Sequence, residues 1–281
     1  PAAGGFNILV DSERMAVTGI SGNTWTVTRG TGGTTAATHS SGATLLGHIM
    51  QNFYLENCVI NIIGTASTLY YGVYGGYALD MSIVQNFSMN NCTINGPGGT
   101  YSGASPQSTN NGGRITGVYF RPTVSATYYV MDNLSITNCT ILTGHDGIRC
   151  EECTNVTVRN NYISTGGDGF AHCVLIGIDG SGGRAASGIV ENNYMTITAS
   201  HGMEMGYGVS SGIVRNNWLI GGSDVNNGQG LVLKSCDSVQ CYNNFIVGGY
   251  QSGLYFKAAT NCTAHHNTAT YGYSPQSCLR S

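Results

Sequence analysis

Asp146 and Asp168 each precede a glycine, as does His201, and all three recur at one point of a loose internal repeat. With the glycine that opens each repeat as position zero, the residues just before it form a column of Thr116, Asp146, Asp168, His201, Gln229 and Ser252, Gly169 being the zero of its coil. Two positions after the glycine come Tyr119, Arg149, Ala171, Glu204, Val232 and Tyr255. Four after it come Arg121, Glu151, Cys173, Gly206, Lys234 and Lys257. This register puts two carboxylates and an imidazole on neighbouring coils of one outer face. Carboxylates about 5–5.5 Å apart suit retaining glycoside hydrolysis, and roughly 6.5–9.5 Å suits inversion. Asp168 is then the general acid, Asp146 the base, His201 the orienting group and Lys234 an anion contact. Glu204 is a spare carboxylate, with Arg149, Tyr255 and Lys257 as further ligand contacts. Only 9% of the chain is charged, and its two lysines, Lys234 and Lys257, both fall on this face. Clustered opposite charges are costly to desolvate unless they pair or serve a ligand. The column therefore reads as a ligand groove or as a salt-bridge ladder between coils.

Short strands must hold this column. From residue 49 onward, Asn followed by Asn or Cys, one variable residue and an apolar residue recurs. The copies are Asn57-Cys58, Asn91-Cys92, Asn138-Cys139, Asn160-Asn161, Asn192-Asn193, Asn216-Asn217 and Asn243-Asn244, with His266-Asn267 as a degenerate last one. A second signature, glycine with apolar residues one and three positions on, appears as Gly117-Val118-Tyr119-Phe120, Gly147-Ile148-Arg149-Cys150 and Gly230-Leu231-Val232-Leu233. Alternation sends successive side chains to opposite faces, and stacked strands align equivalent residues about 4.8 Å apart. The pattern predicts an all-β chain, a right-handed parallel β-helix with apolar ladders inside. It also predicts an Asn/Cys ladder at one turn, where Cys58, Cys92 and Cys139 fill the slots that Asn161, Asn193, Asn217 and Asn244 fill later.

Composition removes other classes. There are 42 glycines in 281 residues without a Gly-X-Y period, which excludes collagen, and 41% hydrophobic residues argue against disorder. No apolar run reaches the roughly 18 residues of a spanning helix, so no membrane insertion is expected. A net charge of −3 with scattered signs offers no basic stripe, so nucleic acid is not an expected partner. Ten cysteines read mostly as small buried thiols, and the lone Cys150-x-x-Cys153 lacks the second pair of a zinc site. No metal or cofactor is expected. His172, three residues after Gly169, is assigned to an inward slot.

Residues 1–47 read as a small β module and 48–281 as the β-helix. The module carries Asp11-x-Glu13-x-Met15-x-Val17, then Gly22-Asn23-Thr24-Trp25-Thr26-Val27-x-Arg29-Gly30, then Gly33-Thr34-Thr35-Ala36-Ala37 and His39. That order resembles a module recurring in bacteriophage tail and other virion proteins. The resemblance implies an extracellular, virion-borne protein: a tail spike, tail fibre or capsid decoration element. Its partners would be host-surface polysaccharide and other virion proteins, with the module serving attachment or oligomerisation. The β-helix is also similar to polygalacturonase-type glycosidases. Their Asn-Thr-Asp-Gly, Gly-Asp-Asp, Gly-His-Gly and Arg-x-Lys elements compare with Gly144-His145-Asp146-Gly147, Gly166-Gly167-Asp168, Ser200-His201-Gly202 and Val232-Leu233-Lys234. Gly167 and Val232 depart from that pattern, at a water-activating carboxylate and a substrate clamp. The alternative so implied is a polysaccharide-degrading tailspike, a hydrolase or lyase. Segments 65–78 and 96–113, rich in Tyr, Gly, Ser and Asn, read as loops suited to recognition. Solenoid ends need caps, so a homotrimer or a larger assembly is expected.

Overall fold

A computed structural model describes residues 6–21, 24–43, 45–62, 70–76, 83–96, 115–121, 130–166, 171–178, 185–197, 201–221, 228–248, 252–271 and 279–280. The described elements are all strands, arranged in three parallel sheets. Sheet A stacks Leu45–Glu56, Ile83–Asn90, Val130–Thr137, Val156–Arg159, Ala186–Glu191, Val209–Arg215, Val239–Tyr242 and Thr263–His265. Sheet B stacks Val59–Asn61, Thr93–Asn95, Thr140–Thr143, Tyr162–Thr165, Tyr194–Ile197, Trp218–Gly221, Phe245–Gly248 and Thr268–Tyr271. Sheet C runs from Tyr70–Gly76 through Ile115–Arg121, Ile148–Cys150, His172–Ile176, His201–Met205, Gln229–Lys234 and Ser252–Lys257 to Leu279–Arg280. The chain visits A, B and C in turn and repeats, so each circuit is one coil of a right-handed parallel β-helix.

The interior is a set of ladders. Ile94, Ile141, Ile163, Met195, Leu219 and Ile246 occupy one register of sheet B, and all are buried. Burying each such side chain contributes roughly 1.5–3 kcal/mol.

The corner between sheets A and B explains the paired asparagines. The first member of each pair has a left-handed backbone, from φ 51° at Asn91 to φ 56° at Asn160, and asparagine tolerates that region better than other non-glycine residues. The second points inward. Asn161 Nδ2 donates to Asn193 Oδ1, Asn193 Nδ2 to Asn217 Oδ1 and Asn217 Nδ2 to Asn244 Oδ1, each at 3.0 Å. Asn244 continues to Asn267 at 2.9 Å. Cys139 lies below this ladder, its backbone N donating to Asn161 Oδ1 at 2.9 Å. Cysteine fills the earlier slots, with Cys92 and Cys139 buried.

The glycines at position zero of two sheet C coils, Gly117 and Gly147, have a steric cause. A Cβ on Gly147 would lie 2.5 Å from Cys173 O, and one on Gly117 would meet Ile141 Cγ2 at 2.5 Å. Backbone approaches core there too closely for a side chain.

The N-terminal strands Phe6–Val10, Glu13–Ser21 and Thr24–Thr28 extend sheet A in antiparallel fashion beyond Leu45–Glu56. Leu9 pairs with Leu46 and Asn7 with Ile49, so Leu45–Glu56 spans the position of the boundary read at residue 47. The module's motif residues converge on Glu13, whose side chain is fully buried. It accepts hydrogen bonds from Arg29 Nε at 2.7 Å and from the backbone N of Gly30 and of Ala37, each at 2.9 Å. His39 bridges it to Asp11, at 2.8 Å on either side. The Arg29 hydrogen bond holds the Glu13 carboxyl well below the usual carboxylate range, against the opposing effect of burial.

Candidate functional site

Sheet C brings the candidate residues together, with one change of register. His172 pairs with His201, Val174 with Met203 and Ile148 with Val174, so the zero of that coil is Cys173 rather than Gly169. The sequence reading sought a glycine at zero. Here the slot holds a cysteine whose Sγ packs inward, 3.5 Å from Thr165 Oγ1. The column is therefore Thr116, Asp146, His172, His201, Gln229 and Ser252. His172 belongs in it, Leu175 replaces Ala171 two positions on, and Asp168 lies outside the described residues.

A second correction concerns exposure. The column was expected at the surface, yet Thr116, Asp146, His172, Gln229 and Ser252 are buried, as are Glu151, Leu175, Glu204 and Val232. Strand His172–Ile176 is buried at every position, so on this coil the alternation of a half-solvated sheet is lost and the outward side chains are interior too.

The acids in that interior are closed by cations. Asp146 lies 3.1 Å from His145 Nδ1, 3.2 Å from Arg149 Nη1 and 3.4 Å from His172 Nδ1, and accepts from the His172 backbone N at 2.8 Å. Burial opposes its charge, but His145 and Arg149 hold its carboxyl well below the ordinary range. Glu151 is gripped by Arg149 at 2.6 Å and Arg121 at 3.0 Å. Glu204 faces His172 Nε2 at 3.4 Å and Lys234 Nζ at 3.7 Å. Burial acts to lower the His172 pKa, yet the two carboxylates prevail and raise it to about 9. His201 stacks on His172 with centroids 5.1 Å apart.

Arg149 also lies over the Tyr119 ring at 5.6 Å, and burial, reinforced by Glu151, pushes the Tyr119 hydroxyl up to about 12. Tyr255 is half-buried in register with Val232, two positions before the exposed Lys257, which pairs with Lys234. Asp146, His172 and Glu204 form a chain of ion pairs across two coil steps. It lies under protein, with no described carboxylate open to solvent beside it. Of the segments read as loops, residues 70–76 form a sheet C strand; apart from Gly96, the rest of 65–78 and 96–113 lies outside the described residues.

Sequence reasoning missed two features. One is His172, hidden by the cysteine at position zero. The other is on sheet B, where the variable residue after each Asn-Asn pair is aromatic in four successive coils: Tyr162, Tyr194, Trp218 and Phe245. The first three are between 39% and 52% exposed. Tyr162 and Tyr194 stack with centroids 5.6 Å apart, and Trp218 and Phe245 lie tilted against each other at 4.8 Å. Around the A/B corner, an open groove of about 470 Å³ on sheet A is lined by Thr157, Ser187, Ser211, Ser238 and Gln240.

The right-handed β-helix region family matches residues 107–269, more than half of the chain. The chain belongs to that family. No curated protein matches the sequence significantly.

Proposed function

We propose that this chain is a virion surface protein, a tail spike, fibre or decoration element, whose β-helix binds host polysaccharide without cleaving it. The observation that carries binding over cleavage is the closure of the described sheet C acids. Asp146 and Glu204 are both buried and both held by cations, whereas a glycosidase must bring its two carboxylates to the sugar. Membership of the β-helix family is compatible with a carbohydrate ligand, and the Asp11–His39 motif supports the virion setting. The test is a panel of bacterial surface polysaccharides, assayed for binding and for release of reducing ends or unsaturated sugars. Binding without release is the expected result. Release that Asp146→Asn abolishes would reverse the reading in favour of a polysaccharide-degrading tailspike.

A further inference from the structure

We infer that the corner between sheets A and B, from Arg159 to Phe245, is a binding track for an extended anionic glycan. This rests on the polysaccharide-binding reading and gives it a location away from sheet C.

The first observation is the line of rings. Tyr162, Tyr194, Trp218 and Phe245 occupy one outward register position on four successive coils of sheet B. Large exposed rings in a row are not needed for the core, which the inward neighbours Ile163, Met195, Leu219 and Ile246 fill. Aromatic side chains give a large apolar contact area at small conformational cost, which suits the C–H groups of a pyranose. The rings repeat at the coil rise of about 4.8 Å, close to the advance per residue of an extended glycan. Tyr162 and Tyr194 lie with their planes 9° apart, face against face, so a chain running along the helix axis meets this pair along its exposed ring edges.

Charge supplies the second observation. The register position that ends the sheet A strands, just across the asparagine turn from the rings, holds Arg159, Glu191 and Arg215 in sequence. Both guanidiniums meet Glu191, Arg215 through Nε at 2.5 Å. The Glu191 side chain is only 4% exposed, while those of Arg159 and Arg215 are 45% and 36% exposed. Solvent thus meets the cations and not the acid. Arg159 meets Glu191 through Nε, and its guanidinium is of the planar type that pairs with carboxylates. Arg215 is steadied by Tyr242, whose hydroxyl accepts from Nη1 at 2.9 Å. Between these guanidiniums and the rings stand the exposed Asn160, Asn192 and Asn216. Beyond the guanidiniums lies the groove of sheet A, lined by hydroxyls and amides together with Ile189 and Ile213. Exposed rings, amides and outward positive charge in parallel rows complement a glycan that carries carboxylates.

The test uses the full chain with sodium alginate as the acidic probe and dextran as the neutral one, followed by affinity electrophoresis and calorimetry at two salt concentrations. The wild type should retard in alginate, bind dextran less and weaken as salt rises. Trp218→Ala and Tyr194→Ala should each weaken alginate binding about tenfold, the loss of one aromatic contact. Arg159→Gln, which leaves Glu191 paired with Arg215, should weaken alginate binding and leave dextran binding unchanged. Unchanged affinity in both ring variants would overturn the track while the binding reading stands. Equal binding of dextran and alginate, insensitive to salt, would overturn the anionic assignment. A wild type that binds neither probe, nor any polysaccharide of the wider panel, would remove the binding reading itself. Sedimentation run in parallel covers one more outcome: an oligomer that Trp218→Ala dissolves would assign the rings to a second copy of the chain and overturn the glycan track.

Discussion

His172 Nε2 faces the carboxylate of Glu204 at 3.4 Å across one coil step, with both side chains buried. Its other ring nitrogen faces Asp146, so a single imidazolium joins acids on the coils before and after it. The arrangement makes one histidine a clamp for three coils.

Stability should therefore depend on pH on the alkaline side. The folded pKa of His172, about 9, lies above the unfolded value of 6.5. The stabilisation is complete below pH 6.5 and is lost as pH rises through 9, amounting to about 3 kcal/mol. Asp146 has the opposite sign. Its folded pKa lies well below 3.8, so its contribution is present above that value and disappears as pH falls through the folded pKa. Denaturant melts across pH 5 to 10 should show midpoints falling between pH 6.5 and 9 in the wild type and nearly flat in His172→Gln. An equal decline in both proteins would place the dependence elsewhere.

Asp146→Asn separates structure from ligand chemistry. The substitution removes the charge facing Arg149 and His172 in a buried site, where breaking a pair costs about 3–5 kcal/mol. Thermal unfolding should shift down by several degrees while polysaccharide affinity is retained. An unchanged melting temperature with binding abolished would make the column a groove after all.

Asn193 has its side-chain hydrogen-bonding capacity used within the ladder. Its Nδ2 donates to Val158 O and Asn217 Oδ1, each at 3.0 Å, and its Oδ1 accepts from Asn161 N and Nδ2 at 2.9 and 3.0 Å. Asn193→Ala leaves buried donors and acceptors on both neighbouring coils, a cost of about 2–4 kcal/mol. Asn193→Cys should cost less, because Cys92 and Cys139 fill the same slot in earlier coils and turn their thiols to backbone carbonyls. Urea midpoints for the two variants decide it, and equal losses would mean that the thiol is no substitute.

Much of this was legible from spacing. Asn57-Cys58 through Asn243-Asn244, with His266-Asn267 as the last, marked each described corner between sheets A and B, because the left-handed turn and the inward slot both select residue type. Gly117 and Gly147 marked the start of sheet C strands for a steric reason. Cys173 broke the pattern, since its thiol packs inward against Thr165 in the slot that glycine fills on neighbouring coils, and the register of one coil slipped with it. Burial was not legible either. An alternating strand reads as half-exposed, whereas His172–Ile176 is buried at every position. The rings of Tyr162, Tyr194, Trp218 and Phe245 were present in the repeat but stood at the position read as variable. Their meaning comes from stacking in space.

The N-terminal strands yield the last prediction. Phe6–Val10 is hydrogen-bonded to Leu45–Glu56, whose other edge pairs with Ile83–Asn90. Yet Ile8, Met15 and Val17 form a small apolar cluster separate from the main core, and Glu13 ties the module's own loop together through Arg29, Gly30, Ala37 and His39. Core packing of the coils thus does not depend on the module, whereas coverage of the first coil's edge does. Removing residues 1–43 should leave a β-helix with a cooperative melt and native circular dichroism. Its free edge along Leu45–Glu56 should then drive self-association, visible as a rising mass in light scattering, because an unpaired strand edge templates further pairing. Glu13→Gln in the full chain, which weakens the module but leaves the strand in place, should stay at wild-type mass. A truncated chain that lacks β structure would instead show that the antiparallel strands are needed to fold the first coil.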